Sequence, residues 1–142
     1  MTQVEPSIIE RSVEKTNIWL KELSGEPGVG DRQDAYRALR AVLHALRDRM
    51  TVDVAAKVAA QLPTLVRGIY YEDWDPSRTP APIRSVEGFL ERVRAEGGMA
   101  GETEASMAVE AVMRVLRRHL TPGALEDILT VMPADVEALL AG

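Results

Sequence analysis

The stretch AYRALRAVLHALRDRMTVDVAAKVAAQLPTLVRGIY, residues 35–70, lies without a gap over ASMAVEAVMRVLRRHLTPGALEDILTVMPADVEALL, residues 105–140. The offset is 70 residues, and nine positions inside the two stretches are identical. They are Ala35/Ala105, Ala38/Ala108, Ala41/Ala111, Val42/Val112, Leu46/Leu116, Arg47/Arg117, Thr51/Thr121, Pro63/Pro133 and Val66/Val136; upstream, the same offset pairs Leu20/Leu90 and Glu26/Glu96. Self-similarity at a fixed offset predicts that one structural unit occurs twice.

Each copy carries the apolar spacing of amphipathic helices. In the first copy the spacing is that of one helix face, and the residues are Ala35, Leu39, Val42, Leu43 and Leu46. Thr51 and Thr121 fit the N-cap position of the next helix, and Pro122 fits a first helical position because its missing N–H is not needed there. No stretch alternates polar and apolar residues as a strand does. The sequence therefore predicts an all-α fold, a compact helical bundle of two three- to four-helix repeats related by a pseudo-twofold axis.

The predicted boundaries follow from the offset and from a proline-rich stretch in the middle of the chain. Repeat one covers about residues 7–70, and repeat two covers about residues 83–141. The connection between them covers about residues 71–82, and its three prolines are expected to keep it extended. Residues 1–142 are predicted to form one helical domain, since about 140 residues suffice to bury a core without a disulfide or a metal.

Composition excludes several classes of function. The chain has no cysteine, so thiol catalysis and disulfides are excluded, and a reducing cytoplasm is the expected location. Its net charge of −5 argues against nucleic acid, whose phosphates are bound by Lys and Arg. No signal peptide and no apolar run long enough to span a membrane is found in the sequence. We expect a monomer or a weak homodimer that binds neither nucleic acid nor membrane.

The segment LPTLVRGIYYEDWDP, residues 62–76, is the most specific part of a wider resemblance. Together with VLRRHLTPGALEDILTVMPADVEALL, residues 115–140, it resembles the bacterial domain-of-unknown-function family 2267. The resemblance extends over about residues 10–141. It implies a small all-helical domain of uncharacterised function, and it brings no catalytic residues to this chain.

The two histidines are the first candidates for catalysis or metal binding. At the offset of 70, His44 is paired with Arg114, and His119 is paired with Arg49. Both histidines are therefore expected on the solvated side of a helix, without a metal. No arrangement of nucleophile, base and oxyanion donor is recognisable in the sequence. We expect no catalytic residue, no cofactor and no metal site, and the protein is predicted not to be an enzyme.

A basic stripe follows the second helix and consists of Arg37, Arg40, His44 and Arg47. It could contact an acidic partner or a phosphate. The alternative is a solvated face whose charges pair with nearby acids such as Asp34, and we favour this alternative. Arg47 differs because Arg117 matches it, and we expect it to hold a carbonyl or carboxylate at the helix end.

Three of the six aromatic residues lie close together at the end of repeat one: Tyr70, Tyr71 and Trp74. Tyr70 is predicted to be core with its hydroxyl at the rim, because its counterpart is Leu140. Tyr71 and Trp74 are predicted to clasp the interface between the repeats, and a partner or ligand patch is the alternative. The predicted function is a non-catalytic protein-interaction or regulatory module. The alternative is a small-molecule-binding protein with an apolar pocket between the repeats.

Overall fold

The computed structural model describes residues 7–142 as eight α-helices, and it contains no strand in this range. The helices are α1 (Ser7–Ser24), α2 (Arg32–Arg49), α3 (Val52–Ala59), α4 (Thr64–Tyr71), α5 (Val86–Gly97), α6 (Glu102–His119), α7 (Pro122–Thr130) and α8 (Ala134–Ala141). They pack into a bundle, so the predicted all-α class is confirmed. No helix within residues 7–142 is long and apolar enough to cross a membrane.

Capping residues explain where several helices begin. Thr51 precedes α3, and its side chain accepts a hydrogen bond from the N–H of Val54. Thr121 does the same before α7, where it accepts from the N–H of Ala124. Such caps satisfy backbone donors that have no partner inside the helix. Both caps lie where the sequence predicted them.

The helix bounds recur at the offset of 70 residues. Helix α2 and helix α6 begin and end at matching positions, and so do α4 and α8. Helices α1 and α5 differ in length, because α1 has 18 residues and α5 has 12. Residues 7–15 of α1, called here the α1 extension, have no helical counterpart in the second half of the chain. These bounds agree with the predicted repeat, whereas the twofold symmetry of the two halves stays a prediction.

Helix α2 is the central helix of the bundle and packs against α1, α4, α5 and α6. Its residues from Ala41 to Asp48 are all buried, although a helix at the edge of a bundle would expose one side. The core is one continuous cluster to which both halves contribute. Each fully buried leucine in it, such as Leu39 or Leu116, contributes about 1.5–3 kcal/mol by leaving water. Polar groups on α2 are consequently forced into the interior and need partners.

Candidate functional site

Arg47, near the end of α2, forms hydrogen bonds with the backbone where α4 ends and the connection of residues 71–82 begins. This side chain is 2% exposed, and its Nη1 donates to the carbonyl of Tyr70 at 2.7 Å and to that of Glu72 at 2.6 Å. The expected contact of Arg47 with a carbonyl is therefore found. Its counterpart Arg117 donates to the carbonyl of Leu140 at 2.5 Å, so the same bond closes each half of the chain.

The end of α2 also holds the far end of the connection. The carbonyl of Asp48 accepts the N–H of Ala81 at 2.6 Å, and Nε of Arg49 donates to the carbonyl of Ile83 at 2.7 Å. Between these points the chain is not simply extended, because Pro76–Arg78 form a 3-10 turn. The cause is local, since the side chain of Asp75 caps this turn by accepting from the N–H of Ser77. The connection is thus fastened at both ends to one helix terminus.

Tyr70 lies in the core, but its hydroxyl is not at the rim as predicted. The residue is fully buried, and its hydroxyl donates to the carbonyl of Ala55 at 2.8 Å. Burial raises the pKa of Tyr70 above its ordinary value, so the hydroxyl stays protonated and remains a donor. The phenol therefore ties α4 to α3 inside the first half of the chain.

Tyr71 and Trp74 are half-buried and pack against the core cluster. Their rings stack with centroids 5.2 Å apart, and the ring of Tyr71 meets that of Tyr70 edge-on at 5.3 Å. The indole Nε1 of Trp74 is buried and has no hydrogen-bond partner among the described residues. The aromatic rings thus form a continuous series from the core to the connection, while their role as a clasp stays a prediction.

The basic stripe is occupied by internal contacts. Arg40 bonds the carboxylates of Glu96 at 2.9 Å and Glu72 at 3.1 Å, and it lies 3.5 Å from that of Asp73. The hydrogen bond to Glu72 is the largest cause that raises the pKa of Arg40 above its ordinary value. Arg37 is exposed and pairs with Asp34 at 3.0 Å, as expected for a solvated pair. Arg40 and Arg47 are therefore engaged within the bundle, and Arg37 alone of the three predicted arginines faces solvent.

His44 is buried, and its prediction as a surface residue was wrong. It is 3% exposed, and its Nδ1 lies 2.5 Å from a carboxylate oxygen of Glu96. Its Nε2 lies 2.7 Å from the carbonyl of Ile69, so this nitrogen is the donor. The central position of α2 is the reason, because all sides of this helix are covered from Ala41 to Asp48. Both ring nitrogens are consequently held by structural partners.

His119 is exposed, as predicted, but it is not a free side chain. Its ring stacks on that of Trp19 with centroids 4.8 Å apart and an interplanar angle of 20°. Its Nε2 lies 3.0 Å from a carboxylate oxygen of Glu22. No group of three or more His, Cys, Asp or Glu side chains arranged for a metal was found in residues 7–142.

Ion pairs between the two halves are reciprocal. We call the interface between the halves the seam. Glu26 of the first half bonds Arg114 of the second at 2.5 Å, and the matching residues Glu96 and His44 approach each other at 2.5 Å in the opposite direction. The hydrogen bond from Arg114 is the main cause that lowers the pKa of Glu26 below its ordinary value. The glutamate of each half thus contacts the matching basic position, Arg114 or His44, of the other half.

A second reciprocal pair at the seam has its charges exchanged. Glu22 lies 3.4 Å from Arg118, whereas the matching positions place Arg92 at 2.5 Å from Asp48. In the first pair the residue on α1, Glu22, is acidic, whereas the matching residue on α5, Arg92, is basic. Both pairs therefore join opposite charges, although the acid and the base have changed places.

The seam also contains a small cavity of about 260 Å³. Matching residues of the two halves line it, as in Gly28 with Gly98 and Ala38 with Ala108. Asp34, Arg37 and Glu104 contribute to the same lining, so the cavity differs from the apolar pocket that the sequence predicted between the repeats.

A larger opening, called here the α1 cleft, lies between α1, the α3–α4 turn and the end of α6, with a volume of about 500 Å³. Its principal lining residues are Lys15, Ile18, Trp19, Gln61, Leu62 and His119. Trp19 is 2% exposed and Leu62 is buried equally deeply, so both belong to the floor. The cleft combines this apolar floor with polar groups at its edge, which is the composition of many binding sites.

Exposed apolar side chains concentrate on the same helix. Within residues 7–142 six large apolar side chains are exposed, and four of them lie on α1. They are Ile8, Ile9, Val13 and Ile18, of which the first three belong to the α1 extension. The contact residues predicted from the sequence were Tyr71, Trp74, Arg37, Arg40 and Arg47, and this surface was not among them. A signal was present for one residue, because Ile18 lies outside the helix face that Trp19, Leu20 and Leu23 define.

The chain was compared with known proteins. A family model described as an uncharacterized conserved protein (DUF2267) matches residues 16–139, and no curated protein matches the chain. The match begins one residue after the α1 extension, so the exposed Ile8, Ile9 and Val13 lie outside it. It includes the residues of the seam and the lining of the α1 cleft except Lys15, which belongs to the α1 extension. Because it spans most of the chain, this protein belongs to the DUF2267 family.

Proposed function

We propose that the chain is a non-catalytic protein-interaction module of the cytoplasm, and that it binds a short segment of a partner protein in the α1 cleft. The observation that carries this proposal is exposed apolar surface on the side of α1 that borders the cleft, where helical spacing places Ile8 with Ile18. Exposed apolar surface of this kind costs free energy in water and marks interaction sites. Ile18, which is 49% exposed, stands at the edge of the cleft.

The charge around the cleft indicates the chemistry of the bound segment. Arg11, Lys15 and Ile18 are spaced by four and three residues, so they follow one side of α1. A segment with an apolar anchor and net negative charge complements this side. Such complementarity favours encounter and suppresses wrong partners.

The non-catalytic part of the proposal is supported by the state of the histidines. Both ring nitrogens of His44 face structural partners, and Nε2 of His119 faces Glu22. A general base needs to reach the proton of a substrate. Neither imidazole ring can take a proton from a substrate without losing a contact between the two halves.

A library of random peptides displayed on phage tests the proposal. The full chain is immobilised, selected peptides are synthesised, and their affinity is measured by isothermal titration calorimetry. Ile18→Asp is expected to weaken binding at least tenfold, because it places a charge at the apolar edge of the cleft. Val52→Asp is the matched control, since Val52 is also exposed but lies on α3.

The result that overturns the proposal is equally direct. The proposal is overturned if no peptide is selected above background, or if the selected peptides bind the Ile18→Asp chain as tightly as the original chain. Circular dichroism of both variants establishes that the helices are intact in either case.

A further inference from the structure

The two ends of the α1 cleft differ in charge. At one end the carboxylate of Glu22 lies 3.0 Å from Nε2 of His119 and 3.4 Å from the guanidinium of Arg118. At the other end Lys15 makes no ion pair with another described residue, and the same holds for Arg11 one turn earlier. An ammonium at the edge of an apolar cleft attracts an anion more strongly than one in open water.

The floor of the cleft provides the apolar part of a recognition site. The indole of Trp19 is fixed in place because its ring stacks on His119. Gln61 closes the back, where its amide accepts the N–H of Thr121 and donates to the hydroxyl of the same residue, both at 3.0 Å. The walls are thus held from both halves of the chain, so little ordering is needed when a ligand binds.

These two features define an orientation for the ligand. We infer that the α1 cleft receives an apolar side chain against Ile18, above the buried Trp19 and Leu62, and that a carboxylate next to this side chain binds Lys15. The inference rests on the proposed function and names the chemistry that the partner segment carries. The carboxylate lies toward the α1 extension, because the opposite end already contains that of Glu22.

A charge exchange between protein and peptide tests the inference. Peptides selected on the full chain are expected to carry Asp or Glu beside the apolar anchor. Replacing that acid by its amide should weaken binding at least tenfold, and Lys15→Glu should do the same. A peptide with Lys in place of the acid should recover at least part of the affinity for the Lys15→Glu chain.

Two controls accompany this exchange. Lys21→Glu makes the same change on the same helix but outside the cleft lining, and it should leave peptide affinity within twofold. Peptides with a free and with an amidated carboxyl terminus distinguish the two sources of the carboxylate. Loss of affinity on amidation assigns the terminal group, whereas an unchanged affinity assigns the acidic side chain.

Failure of the inference is distinguishable from failure of the proposed function. If selected peptides lose binding with Ile18→Asp but show no acidic residue and bind the Lys15→Glu chain unchanged, the carboxylate inference is overturned while the protein-interaction function stands. If Ile18→Asp has no effect, the cleft itself is not the binding site and both are overturned.

Discussion

Arg47 and Tyr70 are joined by a hydrogen bond of 2.7 Å from the guanidinium to the backbone carbonyl, and both residues are buried. The same guanidinium also bonds the carbonyl of Glu72 and the carboxylate of Asp48, so one side chain satisfies three acceptors. A buried acceptor that loses its donor costs free energy, and the carbonyls at the end of α4 have no helical donor of their own. Arg47 is therefore a structural residue of the connection.

Replacing Arg47 should destabilise the fold strongly. We expect Arg47→Ala to lower the free energy of unfolding by about 3 kcal/mol or more, because it strands buried acceptors. Arg117→Ala is the matched control and should cost about 1 kcal/mol, since Arg117 is exposed and bonds one carbonyl. Urea unfolding followed by circular dichroism measures both values. Equal losses in the two variants would contradict the assignment.

His44 and His119 should respond differently to the same substitution. His44→Gln is expected to cost about 1–3 kcal/mol, because a glutamine cannot reproduce both contacts of the buried ring. His119→Gln should cost about 1 kcal/mol or less, the value of an exposed stacked pair. Thermal unfolding with and without added zinc measures both effects. We expect no zinc-dependent rise in the melting temperature, and such a rise abolished by the His119 variant would contradict this.

Trp74 provides a test of the predicted clasp. Trp74→Ala should lower the free energy of unfolding by about 2 kcal/mol, as expected for a half-buried aromatic ring. In a Trp19→Phe background Trp74 is the only indole, and its fluorescence should be poorly quenched by iodide. A loss below about 0.5 kcal/mol together with ready quenching would favour a partner surface at Tyr71 and Trp74 instead.

The pair of Glu26 and Arg114 should make stability depend on pH in the acidic range. The pKa of Glu26 is lowered in the folded state, so its contribution is complete above the unfolded pKa of about 4.3 and is lost as the pH falls through the folded pKa. Glu26→Gln should therefore be less stable than the original chain at about pH 7, and the difference should shrink at about pH 3. Glu110→Gln, on the exposed side of α6, serves as the control in urea unfolding. A constant difference at both pH values would contradict the prediction.

The helices could be predicted from the sequence because their signals are local. Apolar spacing identified α2 and α6, and the two threonine caps fixed where α3 and α7 begin. The burial of His44 could not be predicted from helix periodicity, since it depends on α5 covering the side of α2 that carries it. The offset contained the missing information, because it matches Glu26 with Glu96 and His44 with Arg114. These four residues form the reciprocal contacts Glu26–Arg114 and Glu96–His44 of the seam.

The exposed apolar surface of α1, which we propose as the binding site, was not predicted for a related reason. Periodicity tells which residues of α1 are apolar, but not how far the neighbouring helices extend along it. Ile8 and Ile9 are exposed because α1 begins nine residues before the position that matches the start of α5. Only the three-dimensional arrangement shows where one helix extends beyond the helices packed against it. The same arrangement stacks His119 on Trp19, although 100 residues separate them along the chain.

We expect the reciprocal contacts at the seam to form in either order of the two halves along the chain. Glu26 finds Arg114, and Glu96 finds His44, whichever half is synthesised first. A circular permutant that places residues 83–142 before residues 7–82, joined by a second copy of residues 72–85, should therefore fold with the same helices and the same α1 cleft. We expect the two halves to exchange places along the backbone without loss of these contacts, and circular dichroism of the permutant tests this.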